Sequence, residues 1–308
     1  MSDTGVVRYP VEEEGLVGTL FHPAPGAPCP AVVTLGGAGG GLSEGGARTL
    51  ASEGFAALAL AYFGVDPLPE DLVEIPLEYF EKAIAWLKAQ PAADGDRVAV
   101  VGNSKGGELV LLLGAAYPEH VRAVVGYAPS GVVWRSVPFD REVYHGGPRS
   151  PWSYRGAPVP FAGLSGPSMR EMVQMTEYFF EGRPISTRGF FERALDDEAV
   201  VAPASIAVEK IEAPVLLISG TDDRLWPSTR LSEMVIERLK AHEHPFPYEH
   251  LSYEGAGHMI SLPGYEPARS WRDRYELGGS REANELANAD SWTKVLGFLR
   301  EHLKPGAG

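Results

Sequence analysis

Apolar runs and amphipathic stripes alternate along the chain. Residues 6–22 hold two short segments around Glu12-Glu13-Glu14-Gly15, the pattern of a hairpin. Residues 31–35 (AVVTL), 55–62 (FAALALAY), 97–102 (RVAVVG), 121–127 (VRAVVGY), 214–219 (PVLLIS) and 248–253 carry further strand signals. Most of these are continuous apolar runs, which suit strands buried on both faces of a parallel sheet. Helices are predicted between them. Pro76 opens one whose Leu77, Phe80, Ile84 and Leu87 share a face. Others are predicted over 43–52, after Gly106 (Leu109, Leu112, Leu113), over 227–240 and over 288–303 (Trp292, Val295, Phe298 and Leu299 inward). Alternating strands and helices predict an α/β fold, with a mostly parallel central sheet and helices on both faces.

Residues 131–208 break the alternation. They are rich in Pro, Gly, Arg and aromatic side chains and too long for a structureless loop. An inserted cap is expected there, with a helix over 168–181, on a single domain spanning 1–308. The last residues, 304–308, read as a frayed tail.

Charge narrows the function. Lys plus Arg is 27 against 41 Asp plus Glu, a formal net charge of −14, which weighs against nucleic-acid or anionic-membrane partners. The one cysteine, Cys29, excludes an internal disulfide and fits a reducing compartment. The first residues have neither a basic nor an apolar region, and no apolar run reaches about 18 residues. No signal peptide and no membrane span are expected, and the expected location is cytoplasmic. No HExxH or CxxC spacing occurs, so no metal and no cofactor are expected. Oligomeric state leaves no mark in the sequence.

The chemistry gathers at Gly102-Asn103-Ser104-Lys105-Gly106, a G-x-S-x-G pattern. Such a serine sits on a tight strand-to-helix turn whose crowding favours flanking glycines, and the helix N-terminus favours developing negative charge. Glycine is abundant, at 36 of 308 residues, and the pattern recurs at Gly41-Leu42-Ser43-Glu44-Gly45. Context separates the two. Ser104 follows an apolar strand and precedes an apolar helix, whereas Ser43 reads as a helix N-cap. A serine nucleophile needs a base and an orienting acid. In Gly220-Thr221-Asp222-Asp223, Asp223 has the usual spacing for the acid and Asp222 competes with it. His258, in Gly255-Ala256-Gly257-His258, is the candidate base, while the other histidines read as surface or capping residues. The glycine run after residue 35 offers an oxyanion loop, with Ala38 as donor, Gly37 as second choice, and the N–H of Lys105 beside them. A phosphate loop is the rival reading, but neither G-x-G-x-x-G nor a Gly-Lys dipeptide is completed.

Together these residues resemble the C-terminal catalytic domain of the acyl-CoA thioesterase and bile-acid-CoA:amino-acid N-acyltransferase family. That family belongs to the α/β-hydrolases and lies close to dienelactone-hydrolase-like enzymes. The matching motifs are Leu35-Gly36-Gly37-Ala38-Gly39-Gly40, Ala59-Leu60-Ala61-Tyr62, Leu77-Glu78-Tyr79-Phe80-Glu81, Gly102-Asn103-Ser104-Lys105-Gly106-Gly107-Glu108, Gly220-Thr221-Asp222-Asp223 with Trp226, and Gly257-His258. The resemblance runs from about residue 15 to 303. It implies an α/β-hydrolase fold, Ser104, Asp223 and His258 as a catalytic triad, and a small-molecule acyl thioester substrate, acyl-CoA first. N-acyltransferase members tend to carry Cys at the nucleophile, so Ser104 favours hydrolysis. About 25 residues precede the first core strand, so the N-terminal β-sandwich of animal members is not expected. A basic patch for CoA phosphates would need Arg269, Arg272, Arg274 and Arg281, which also read as solvated helix surface. Trp134, Trp152 and Phe179 are candidate pocket residues, against buried core as the rival reading. Glu108, one turn below the nucleophile, is expected to pair with Lys105 or cap structure rather than take part in chemistry. Oxygen esters or lactones are the alternative substrates, and a non-catalytic binding protein is the remote alternative.

Overall fold

A computed structural model describes residues 5–24, 26–136, 147–265 and 273–304. The chain opens with β1 (Val6–Val11) and β2 (Val17–Pro23), an antiparallel hairpin. β3 (Cys29–Leu35), α1 (Gly45–Ser52) and β4 (Ala56–Ala61) follow, then a two-residue β5 (Ile75–Pro76) running into α2 (Leu77–Lys88). β6 (Ala93–Asn103) leads through one residue into α3 (Lys105–Ala116), and β7 (Ala123–Tyr127) comes next. The long excursion carries β8 (Trp152–Tyr154), β9 (Ala157–Pro158), α4 (Met169–Glu181), α5 (Arg188–Leu195) and α6 (Glu198–Val201). The chain then returns as β10 (Val215–Gly220), α7 (Ser228–Ala241), β11 (Tyr248–Tyr253) and α8 (Arg281–His302).

Eight strands form one sheet in the order β1-β2-β4-β3-β6-β7-β10-β11. Its pairings are parallel from β4 through β11, and only β1 and β2 run antiparallel to their neighbours. The continuous apolar runs are explained by burial on both faces. Along β4, Ala56, Leu58 and Leu60 pack in one core while Ala57 and Ala59 pack in another. β6 does the same, with Val98 and Val100 on one side and Ala99 and Val101 on the other. That two-residue period sends alternate side chains to opposite faces. α2 and α3 cover the first face; α1 and α8 cover the second. Ala57 and Ala59 of β4 and Ala99 of β6 fall on the α1 and α8 side.

β6 begins at Ala93 rather than 97, because Cys29 and Pro30 pair with Ala93 and Asp94 across a register shift. Its polar start (Ala-Asp-Gly-Asp) hid that extension. Ser43 does not cap α1; Glu44 holds the N-cap position. The last helix starts seven residues earlier than residue 288, at a cap where the Ser280 side chain accepts the Ala283 N–H. A small second sheet, β5-β8-β9, escaped detection because strands of two or three residues have no period. Among the described residues no helix is long and apolar enough to cross a membrane.

Candidate active site

Three strand ends at one edge of the sheet carry the candidate residues. Ser104 forms the junction between β6 and α3, with φ 58° and ψ −118°, a region that a side chain adopts only when its surroundings enforce it. The enforcement is visible on both sides. The Ser104 N–H donates to the Tyr127 carbonyl at 2.8 Å, and its own carbonyl accepts the Glu108 N–H at 3.0 Å. A Cβ at Gly102 would stand 2.0 Å from the Gly106 oxygen, and one at Gly106 would stand 2.4 Å from the Leu35 oxygen. The turn therefore closes only with glycine at those two places.

Asp223 follows β10 and is fully buried. Its Oδ1 accepts the Leu225 and Trp226 N–H groups at 3.0 and 3.2 Å. Its Oδ2 faces His258 Nδ1 at 2.8 Å. A carboxylate only accepts, so this contact places the imidazole proton on Nδ1 and leaves Nε2 as the acceptor. The indole of Trp226 packs edge-on to the His258 ring, 5.8 Å between centroids. Asp222 points elsewhere, pairing with Arg224 at 2.6 Å and accepting the Gly279 N–H at 2.9 Å.

Ser104 and His258 line one cavity together with Gly36 to Gly41, Ser43, Asn103, Leu225, Met259, Tyr265 and Leu277. The Asp223–His258 contact is a hydrogen bond; among the described residues none joins Ser104 Oγ to the ring. The glycine loop is held from beneath by Tyr62, whose hydroxyl donates to the Gly36 carbonyl at 2.6 Å. Among the described residues the Ala38 N–H donates to no protein group, whereas the Gly37 N–H donates to the Tyr265 hydroxyl at 3.1 Å. Lys105 contributes the first N–H of α3, which has no partner within the helix.

Beneath the turn lies a buried ion pair. Lys105 Nζ donates to both oxygens of Glu108, at 2.9 and 2.8 Å, and to the Trp134 carbonyl at 2.7 Å. Glu108 also accepts the Trp134 N–H at 3.2 Å and the Trp152 indole N–H at 2.8 Å. Burial pushes the Glu108 carboxyl up and the Lys105 ammonium down, and their mutual attraction opposes both shifts. Trp134 and Trp152 are thus buried, at 1% and 0% exposure, and neither is among the residues lining the cavity at Ser104. They tie the excursion after β7 to the helix under the nucleophile. The Phe179 side chain lies outside the described residues, as do Arg269 and Arg272. Arg281 is paired with Glu285 on the surface.

Sequence reasoning missed two asparagines. Asn284 accepts the Gly257 N–H at 2.8 Å, and Asn288 accepts the Ser261 N–H at 2.9 Å while donating to the Met259 carbonyl at 3.3 Å. They flank His258 from α8, and the His258 N–H itself donates to the Leu277 carbonyl at 2.8 Å. The available signal was their i, i+4 spacing, which puts both on one helical face. Among the described residues no group of three His, Cys, Asp or Glu side chains could hold a metal ion.

A family model described as BAAT / Acyl-CoA thioester hydrolase C terminal matches residues 75–305. The chain is 30% identical over 306 residues to the mitochondrial acyl-coenzyme A thioesterase 2 of Mus musculus, covering 97% of this chain and 61% of that one. It is 31% identical over 307 residues to the peroxisomal succinyl-coenzyme A thioesterase of Mus musculus, covering 97% and 66%. The chain thus spans under two thirds of the length of these relatives. Among solved structures, a dienelactone hydrolase-like promiscuous phosphotriesterase from metagenomic libraries superposes with a TM-score of 0.58 at 18% identity, covering 97% of this chain and 100% of that one. A puromycin-hydrolyzing peptidase of Mycobacterium tuberculosis gives 0.56 at 18% identity, covering 97% and 39%. The fold is that of the α/β-hydrolases.

Proposed function

The chain belongs to the BAAT / acyl-CoA thioester hydrolase C-terminal family, and from that premise we propose that it hydrolyses acyl thioesters, acyl-CoA first, through Ser104, His258 and Asp223. The observation that carries this reading is the Asp223–His258 hydrogen bond at the rim of the cavity shared with Ser104. Ser104 Oγ attacks the thioester carbonyl as His258 Nε2 takes its proton. Asp223 holds the tautomer and stabilises the imidazolium that forms. The N–H groups of Lys105 and Ala38 receive the charge growing on the carbonyl oxygen; loss of one such donor typically costs about 10²–10³ in rate. Collapse breaks the C–S bond, and His258 returns its proton to the departing thiolate. Water then attacks the acyl-serine with His258 as base again, releasing the acid and restoring Ser104. Serine rather than cysteine at position 104 favours water over an amine as acceptor.

The missing Ser104–His258 hydrogen bond does not argue against these roles, since catalytic contacts are often loose before substrate tightens them. The test is a panel of acyl-CoAs, p-nitrophenyl esters and lactones assayed with the wild type and Ser104→Ala. Highest kcat/KM on acyl-CoA, abolished by Ser104→Ala, supports the proposal. Preference for oxygen esters moves the substrate class, and no turnover of any panel member overturns the enzymatic reading.

A further inference from the structure

The oxyanion loop faces a side-chain hydroxyl as well as backbone donors. Tyr265 follows the His258 loop and is partly buried in the same cavity as Ser104. Its Oη accepts the Gly37 N–H at 3.1 Å. A methyl group built at Gly37 would stand 3.2 Å from Ser104 Cβ and 3.3 Å from Tyr265 Oη, so both groups border one small space beside the nucleophile. A side chain at position 37 would crowd that space. A phenol has one proton to give and two lone pairs. The Gly37 N–H occupies a lone pair, and among the described residues the proton is given to no protein acceptor. Burial raises the Tyr265 phenol above its ordinary value, so it keeps that proton at neutral pH.

We propose that the Tyr265 hydroxyl is a catalytic donor in the oxyanion hole, aimed by Gly37 at the carbonyl oxygen that Ser104 attacks. The inference rests on Ser104 being the nucleophile. It reassigns the Gly37 N–H from stabilising the oxyanion directly to holding the phenol that does so. In the chain Gly37 N–H···Oη–H···O⁻ each bond polarises the next, so the contact strengthens as charge develops on the substrate. No proton leaves the tyrosine, and the triad alone carries proton transfer.

Tyr265→Phe tests this, because it keeps the ring and removes only the hydroxyl. The expected result is a fall of about 10²–10³ in kcat on acyl-CoA, with KM within about threefold and Tm within about 2 °C of wild type. An alkyl trifluoromethyl ketone, which forms a charged hemiketal on the serine, should lose inhibitory potency by a similar factor. An unchanged or raised kcat overturns the proposal, the latter meaning that the hydroxyl only blocks the site. So does a fall in kcat with full ketone potency, which would assign the phenol to packing. Ser104→Ala is run alongside. If that variant still turns over, the reading of the nucleophile has failed; if it is dead while Tyr265→Phe is normal, only the tyrosine assignment has.

Discussion

Asn103 Nδ2 donates to the Ile260 carbonyl at 3.1 Å, a bond between residues 157 positions apart. One end lies beside Ser104 and the other two residues past His258. The variable position of the G-x-S-x-G turn therefore fixes the spacing between the two halves of the candidate site. Asn103→Ala removes that link and leaves a buried carbonyl unpaired, at a cost of about 1–3 kcal/mol. We expect kcat on acyl-CoA to fall about tenfold with a Tm lower by several degrees, read by steady-state kinetics and thermal unfolding.

The two adjacent aspartates should separate cleanly. Asp223→Asn replaces the acceptor for His258 Nδ1–H with an amide and favours the wrong tautomer, so kcat should fall by about 10³–10⁴ with the fold intact. Among the described residues the Asp222 side chain meets Arg224 and the Gly279 N–H, so Asp222→Asn should stay within about threefold of wild type. Parallel kinetics on the pair, with circular dichroism as the control, checks this.

Much of this arrangement was legible in the sequence, for physical reasons. Strands such as Ala31-Val32-Val33-Thr34-Leu35 announce themselves because burial on both faces leaves a nearly continuous apolar run, in which Thr34 gives its hydroxyl to the Leu58 carbonyl. Gly102 and Gly106 announce the turn because no Cβ fits there. What stayed hidden depends on long-range contact. For Trp134 and Trp152 the sequence left pocket lining and buried core both open, because their tie to Glu108 spans 26 and 44 residues. The i, i+4 spacing of Asn284 and Asn288 marks a shared helical face but not what that face meets, and Tyr265 was invisible because a lone polar residue has no pattern until the fold supplies its partner.

The buried Lys105–Glu108 pair gives a stability prediction. Glu108→Leu strands the ammonium and the Trp152 indole N–H, and unfolding free energy should drop by about 3–5 kcal/mol. Adding Lys105→Met removes the orphaned charge and should recover more than half of that loss. The Lys105 backbone N–H is untouched, so the double variant should retain turnover. Urea denaturation of both variants against wild type is the measurement.

His250 makes stability depend on pH. Its Nε2 lies 2.7 Å from Ser219 Oγ, which in turn contacts Thr229, and burial pushes the imidazole down to about 4 from an ordinary 6.5. The folded protein thus binds fewer protons at this ring than the unfolded chain does. Its stabilising contribution is full above pH 6.5 and is lost as pH falls through 6.5 towards 4. His250→Gln should flatten that part of the curve. Unfolding free energies at pH 4.5 and 7.5 for the variant and the wild type decide it.

The most direct test of the account is acid quench of the protein within the first turnover of an acyl-CoA, followed by peptide mass spectrometry. The expected result is one acyl group esterified to Ser104, with one equivalent of free CoA released and no adduct in Ser104→Ala. Release of CoA at the wild-type rate by Ser104→Ala, or an acyl group carried on another residue, would contradict it.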